Sequence, residues 1–418
     1  MLKEIAKKSS TLYWLNAKLK SYELKRGLTL LAQDYAKRAE ACGFVYESEA
    51  ATREFKRRHR EHRPDFVPLD PGKLRVFWIG VNQDQDESGF NQALRRLCEV
   101  AVFRNAEGGY GLRNCNPFTE NAMSIDKIRQ ANGQALLQQA IAAKNKGGID
   151  LLLGQMWAHA VPKEALMQVQ AMGIPVVNIS MDDRLPVHWS HKDGIRLGSV
   201  GLAPGLDMVL TTSPETCSWY GVEKCPALFW PLASDPEIFA PAGEVVRDID
   251  VLFIGNRYGV RGEVVDHIES RGIKVTCYGR GWPNGYGSAE QMLELWKRAR
   301  IALGVGTVGH CPDVYQIKLR DFDGPMGGAL YLTHRNPDLC RLYREGEDIE
   351  CYATPREAFE KVRFYLDRPS HLERVARNGQ RAALSRHTWD LRLSTTFEHL
   401  GLLRASKLSE AARTWPHR

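Results

Sequence analysis

No run of apolar residues in the chain approaches the roughly 18 that a membrane-spanning helix needs, so a protein without helical membrane spans is expected. The start, M-L-K-E-I-A-K-K-S-S, puts charges where a signal peptide has its apolar core, which argues against export and for a soluble, cytoplasmic protein. Nine cysteines (Cys42, Cys98, Cys115, Cys217, Cys225, Cys277, Cys311, Cys340 and Cys351) form no C-x-x-C pair and no Cys/His cluster at metal-ligand spacing. They read as reduced, mostly buried thiols, and no metal site is expected. No DNA or RNA recognition motif is visible. The net charge of +7 suits anionic ligands such as nucleotides without pointing to nucleic acid.

What is present is length and alternation. At 418 residues with 43% hydrophobic content, the chain fits two medium domains plus extras. Residues 1–72 read as a helical extension and linker. Leu12, Trp14, Leu15, Leu19, Tyr22 and Leu24, then Leu28, Leu30, Leu31 and Tyr35, have helical spacing, and Pro64, Pro68 and Pro71 mark the linker. The segment Arg53 to Arg63 places Arg53, Lys56, Arg57, Arg58, Arg60 and Arg63 within a dozen residues. It is either a solvated helix face or a peripheral contact with the anionic inner face of a membrane or a lipid-linked acceptor.

From Lys73 strands and helices alternate, the pattern of parallel sheets covered on both faces. Strands are expected at Lys73–Gly80, Ile149–Leu153, Pro175–Ser180 and within Gly201–Ser213, with a crossover segment at Phe229–Phe239. The alternation restarts with strands at Asp248–Asn256, Lys274–Tyr278, Ile301–Val305 and Ala329–Thr333. The expected domains are therefore 73–235 and 236–392, followed by a tail over 393–418.

The densest chemistry lies between Gly304 and Thr333. Phosphate needs backbone N–H groups that can approach closely, which glycine allows, and it favours cations. Gly304, Gly306, Gly309, Gly327 and Gly328 offer the first, and Lys318 and Arg320 the second. Asp323 suits sugar hydroxyls better than phosphate. Cations for a pyrophosphate and a carboxylate for a ribose make a nucleotide-sugar site; the competing reading is a Gly-rich connection with solvated charges. Parallel sheets bind ligands at the carboxyl ends of their strands. Gly255, Asn256, Arg257 and Arg261, which follow the strand at Asp248–Asn256, would therefore face the same phosphates. Trp282, in the Y-G-R-G-W run after the next strand, lies near a base or in the core.

The run R-D-F-D-G-P-M-G-G from Arg320, followed by A-L-Y-L-T-H-R-N-P-D-L and G-E-D-I, resembles the C-terminal signature of the spore-maturation CgeB-like glycosyltransferases. That family carries R-x-F-E-x-P-x-x-G followed by L-T and N-P-E-L. The likeness continues through Arg356–Pro369 and Asn378–Trp389, and extends over about residues 73 to 392. It implies a GT-B-like fold of two Rossmann-like domains facing a central cleft, with the helical extension in front. It also implies transfer of a sugar from a nucleotide diphosphate sugar, which is a donor substrate, with no cofactor. The acceptor would be a glycan, a lipid-linked glycan, a protein or a small molecule.

The candidate donor contacts are therefore Arg261, Lys318, Arg320, Asp323, Gly255, Gly327 and Gly328, and the resemblance adds that Arg261 matches a recurrent arginine of the family. Asp323 stands where the family has a ribose-binding glutamate. Tyr315 occupies the position, eight residues earlier, at which many related retaining transferases carry a second glutamate. His310 and Asp313 are the polar residues beside that gap, and His310 is a catalytic candidate. In the first domain S-M-D-D-R-L resembles a paired-aspartate motif, making Asp182 and Asp183 candidates for the base that takes the acceptor proton. The alternative for one of them is helix capping. Asp84, Asp86 and Glu87 form an acidic loop after the first strand, and Gln155, Trp157 and His159 follow another. Two other readings remain open: a catalytically inactive nucleotide-binding or scaffold protein, and a nucleotide-sugar epimerase of the same shape.

Overall fold

The computed structural model describes residues 10–405 except Asn114, Phe118 and Glu244, with no side-chain description for residues 10–13. The charged start before Ser10, the apolar position Leu12 and the last part of the expected tail thus lie outside the described residues. The chain forms two compact units, one of residues 31–231 with the chain from 389 onward, the other of residues 232–388 with the chain up to 30.

The first unit is built on six parallel strands: β1 (Leu74–Ile79), β2 (Cys98–Val102), β3 (Leu151–Gly154), β4 (Val176–Ser180), β7 (Met208–Thr211) and β8 (Ala227–Phe229). A small antiparallel hairpin, β5 (His191–Lys192) and β6 (Ile195–Arg196), lies outside the sheet. The sheet order is β2-β1-β3-β4-β7-β8. The runs Leu-Leu-Leu-Gly in β3 and Val-Val-Asn-Ile-Ser in β4 are buried along their whole length, as strands covered on both faces must be. The strand expected within Gly201–Ser213 is confined to β7, because Ser199–Gly205 winds into a 3-10 turn containing Pro204. The 25-residue helix Ala122–Lys146 starts where the Asn121 side chain accepts from Ser124 N at 2.9 Å.

The second unit repeats the plan with β9 (Ile249–Ile254), β10 (Thr276–Tyr278), β11 (Ala299–Leu303), β14 (Leu330–His334) and β15 (Glu350–Tyr352), all parallel, in the order β10-β9-β11-β14-β15. The glycine-rich join holds an antiparallel hairpin, β12 (Thr307–Val308) and β13 (Cys311–Tyr315), before the short helix Arg320–Met326. Its core gathers Val251, Phe253, Ile301, Leu303, Leu330 and Leu332 under the helices that follow them. Ser288 and Thr354 cap the helices Ala289–Arg298 and Pro355–Leu366.

Residues 31–63 are integral to the first unit. Tyr35 is 3% exposed, with its ring stacked on Trp219 at 5.2 Å and edge-on to Trp189 at 5.3 Å. Its hydroxyl donates to Glu223 Oε1 at 2.7 Å, and Arg196 and Arg38 donate to the same carboxylate. Burial alone would raise Glu223; the bonds from Arg196, Tyr35 and Arg38 outweigh it and hold the carboxyl at about 2. The helix Ser48–His62 buries Phe55 and His59.

The basic segment is largely neutralised where it stands. Arg53 lies 3.8 Å from Glu49, Arg57 and Arg58 each bond Glu54 at 2.8 Å, and Arg63 bonds Asp150 at 2.9 Å. At the other end, the helix Trp389–His399 carries the chain past residue 392 into the first unit. There Trp389 meets Phe90 edge-on at 5.2 Å and Thr396 accepts from Trp230 Nε1 at 2.8 Å. Among the described residues no helix is long and apolar enough to cross a membrane.

Candidate functional site

The strand order of the second sheet reverses between β9 and β11, and the crevice outside the carboxyl ends of such a pair is where open α/β sheets take ligands. Gly255 leaves β9 there. Its N–H donates to Tyr278 O at 2.8 Å, and Trp282 Nε1 donates to its carbonyl at 2.7 Å, so Trp282 is a buried prop for the loop. Gly255 has φ +148°, a conformation that favours glycine.

Two guanidinium groups converge on its bare Cα. A Cβ at Gly255 would lie 2.5 Å from Arg320 Nη2 and 3.6 Å from Arg261 Nη1. Arg261, 6% exposed, donates to Asn256 O at 3.0 Å and packs over the Tyr258 ring. Arg320 donates to Val305 O at 3.3 Å, just past the end of β11, and lies over Phe253. Among the described residues neither forms an ion pair with a carboxylate. Burial, and after it the charge of Arg320, pull Arg261 down to about 10. The two cations thus stand together, and the carboxylates of Asp321 and Asp323 feel the charge of Arg320 without forming an ion pair with it. Arg257, by contrast, is committed to Asp266 at 2.6 Å.

The helix Arg320–Met326 supplies the remaining donor candidates. Asp321 is buried and closes the turn before it, accepting from Lys318 N at 2.7 Å and from the Tyr331 hydroxyl. Lys318 is half-buried in that turn. Asp323, one helical turn after Arg320, is half-buried and accepts from Ser234 Oγ at 2.8 Å. Withdrawal of its carboxyl from water pushes it up to about 8, against the Ser234 bond and the Arg320 charge. Nearby, Asn336 is 1% exposed with an unpartnered Nδ2 that stands 4.0 Å from where a Cβ on Gly306 would be.

Gly327 and Gly328 do not join this cluster. They end the helix, at its far pole from Arg320: Gly327 N donates to Asp323 O and Gly328 N to Pro325 O, both at 2.9 Å. Gly328 takes φ +76° with Arg247 and Gln380 packed against its Cα. Their N–H groups bond the helix terminus, a capping role, where the sequence offers them for phosphate. Gly304 is likewise required by close packing, since a Cβ there would lie 2.2 Å from the Tyr331 hydroxyl oxygen.

His310 turns the β12/β13 hairpin and is half-buried; burial first, then Lys20, lower its pKa. The hairpin rests on the loop that carries Arg261, with Val260 N donating to Gly309 O at 3.2 Å. Asp313 pairs with Lys25 at 2.6 Å, and Tyr315 packs near His334.

In the first unit the structure separates the two aspartates after β4. Asp183 is 1% exposed and fully engaged: Oδ1 accepts from Ser180 Oγ at 2.7 Å and Tyr220 OH at 2.8 Å, and Oδ2 accepts from Thr211 Oγ1 at 2.6 Å. Burial raises its pKa, and the three hydroxyls oppose the rise. It ties β4, β7 and the helix Thr216–Val222 together, the bonding of a structural residue, where the sequence offers it as a base. Asp182 is half-buried and acts on His188 through its charge.

The residue that sequence reasoning noted but did not choose is Asp86. The first sheet reverses between β1 and β3. Asp86, in the short helix Gln83–Glu87 that follows β1, accepts from Tyr110 OH at 2.8 Å and, at the outer limit, from Gln155 Nε2 at 3.5 Å, Gln155 lying just past β3. Burial pushes Asp86 up to about 6, opposed by the Tyr110 bond. Its signal was its place after the first strand. His159 is buried and pulled down to about 4 by burial, and Trp157 stacks over it at 5.8 Å as packing.

Residues 261–398 match the family model described as Glycosyl transferase-like. Among solved structures, the chain is similar to the sucrose-phosphate synthase of Thermosynechococcus elongatus, at 12% identity and a TM-score of 0.53 over 78% of this chain and 99% of that one. It is also similar to HepE of Anabaena in complex with UDP-glucose (11% identity, TM-score 0.52, 78% and 100% covered). A glycosyltransferase of Rickettsia africae is a third (8% identity, TM-score 0.52, 80% and 100% covered). The fold is GT-B-like. In such a fold the two sheets are Rossmann-like, and Arg261 and Arg320 lie within the segment matched as Glycosyl transferase-like. No curated protein sequence matches the chain.

Proposed function

We propose that the protein is a glycosyltransferase that takes a sugar from a nucleotide diphosphate sugar, with Arg261 and Arg320 holding the diphosphate. The observation that carries this reading is the pair of guanidiniums turned onto Gly255 without a carboxylate, at the carboxyl ends of β9 and β11. A diphosphate supplies the missing counter-charge, and the cations gain most as charge develops on the leaving group. Lys318 adds to that field, and Asp323 is positioned for ribose hydroxyls. Cations in this role make the transfer independent of a metal. HepE binds UDP-glucose, which makes UDP-glucose the first donor to test.

The CgeB-like signature around Arg320–Gly328 supports that subtype, acting in the cytoplasm on a glycan, lipid-linked, protein or small-molecule acceptor. Membrane contact through Arg53 to Arg63 is not carried forward, since carboxylates neutralise most of that segment. On the acceptor side two carboxylates compete for the role of base. Asp182 is the more exposed, and Asp86 is held nearer neutrality.

Calorimetry with UDP, GDP, ADP and CMP against the wild type and Arg261→Ala, Arg320→Ala and Asp323→Ala variants tests the donor site. Selective binding of one nucleotide, weakened in all three variants, supports it; equal or absent binding overturns it. Incubation with the donor and no acceptor separates the epimerase, which alone yields an isomerised sugar nucleotide. The inactive reading draws on Tyr315 and on aspartate at 323 where related sequences carry glutamate. It is supported if the nucleotide binds and no donor turns over.

A further inference from the structure

The loop between β14 and β15 brings together three ligand-bearing side chains that sequence spacing did not reveal as a set. Cys340 Sγ, Cys351 Sγ and a carboxylate oxygen of Glu345 all lie within 4.8 Å of one another. Cys351 is buried on β15; Cys340 is half-buried in the 3-10 turn Leu339–Arg341, where its N–H donates to Asn336 O at 3.0 Å. Glu345 is placed by the turn that follows, closed by Gly346 N donating to Ile349 O at 2.8 Å.

The two sulfurs are 4.0 Å apart. A disulfide needs about 2.05 Å. Tetrahedral zinc with Zn–S bonds of about 2.3 Å separates two thiolates by roughly 3.8 Å, which is close to the spacing present. We propose that Cys340, Cys351 and Glu345 form a binding site for zinc or a similar thiophilic divalent cation that fastens the β14–β15 loop to the sheet edge.

Two thiolates select such an ion over magnesium or calcium, which prefer all-oxygen sets. Each thiol releases its proton to solvent as its bond to the metal forms. Arg335 donates to both oxygens of Glu345, from Nε to Oε2 at 3.1 Å and from Nη2 to Oε1 at 2.5 Å, so it orients the carboxylate, leaves each oxygen a further lone pair for the ion and offsets one of the three ligand charges. The half-exposed Cys340 gives the ion a way in, and the fourth position is left to water. Binding there also holds Asn336, whose carbonyl carries Cys340 and whose side chain stands by Gly306.

The test uses the full chain, freed of any affinity tag and kept reduced. Cobalt(II) is titrated first, then displaced by zinc. The expected result is one equivalent bound, with a thiolate-to-cobalt charge-transfer band and the intense visible bands of tetrahedral cobalt. Zinc content by mass spectrometry should fall to background in Cys340→Ser and Cys351→Ser, stay unchanged in Cys42→Ser, and affinity should drop about 10- to 100-fold in Arg335→Gln. A wild-type cobalt spectrum without thiolate bands overturns the proposal and needs no variant to fold. Binding that persists in both serine variants, or a Cys340–Cys351 disulfide in the reduced preparation, overturns it as well.

Discussion

Arg261 and Arg320 approach the same face of Gly255 from two different helices, so the loop after β9 is walled by like charges on the side where a Cβ would otherwise stand. The ligand-free fold bears their repulsion, which adds to burial, the larger cause, in lowering the pKa of Arg261.

Replacing Arg320 with methionine should therefore separate stability from binding. The ligand-free Arg320→Met variant is expected to melt no lower than the wild type. Its affinity for the preferred nucleotide diphosphate should fall about 10- to 100-fold, the range for one charge-assisted hydrogen bond. Scanning calorimetry and isothermal titration on the same samples check this. A variant that melts lower and binds unchanged would show the pair to be structural.

Gly255→Ala asks more of the same place. The new methyl would lie 2.5 Å from Arg320 Nη2 at φ +148°, so both backbone strain and a displaced guanidinium follow. A loss of about 1–3 kcal/mol in stability is expected, with nucleotide binding lost beyond what that loss explains. Urea melts with and without nucleotide measure the two effects.

Much of this arrangement was legible before the fold was known, and the failures share a cause. Apolar runs such as Leu151–Gly154 announce buried parallel strands, and two of the cations that the sequence singles out, Arg261 and Arg320, meet in the fold at Gly255. A glycine, however, reads the same whether it frees an N–H for phosphate or ends a helix. Only the direction of Arg320–Met326 shows that Gly327 and Gly328 lie at the wrong pole. Asp182 and Asp183 are adjacent in sequence, and which one turns inward depends on Ser180, Thr211 and Tyr220, which β4, β7 and the next helix bring together. Cys340 and Cys351 sit outside any C-x-x-C spacing, and a reversed loop makes them neighbours.

Asp183→Ala should act on folding. It leaves three buried hydroxyls without their acceptor, and a loss of roughly 3 kcal/mol or more is expected. Asp86→Asn and Asp182→Asn should leave the fold near wild type. If Asp86 is the base, turnover in the wild type rises with pH through about 6, and this limb disappears in Asp86→Asn. A limb that survives in Asp86→Asn rules Asp86 out as the base.

Asp323 gives stability a pH dependence of opposite sign to that of an ion-paired carboxylate. Its pKa in the fold, about 8, stands above its ordinary value, so the folded chain keeps a proton that the unfolded chain releases. The contribution is whole below about pH 4 and is lost as pH rises toward 8. Asp323→Asn should remove that loss, so its advantage over the wild type in urea melts grows from about pH 5 to pH 8.5. Nucleotide binding should move the other way: ionised Asp323 accepts ribose hydroxyls, so wild-type affinity rises over the same range while that of the variant stays flat.

The N-terminal extension, which the sequence presents as an appendage, contributes to the core of the first unit. Tyr35 stacks on Trp219, meets Trp189 edge-on and donates to Glu223, and Phe55 is wholly buried. Removing residues 1–63 would expose that aromatic cluster and strip Glu223 of two of its partners, Tyr35 and Arg38. The truncated chain is therefore expected to aggregate or to melt far below the wild type, and Tyr35→Ala alone should cost about 3–5 kcal/mol. Sedimentation and thermal melts decide the matter. A truncated protein that stays monomeric, melts as the wild type does and loses only acceptor use would return the extension to a recognition role. In that case the burial of Tyr35 and Phe55 would contribute little to the stability of the first unit.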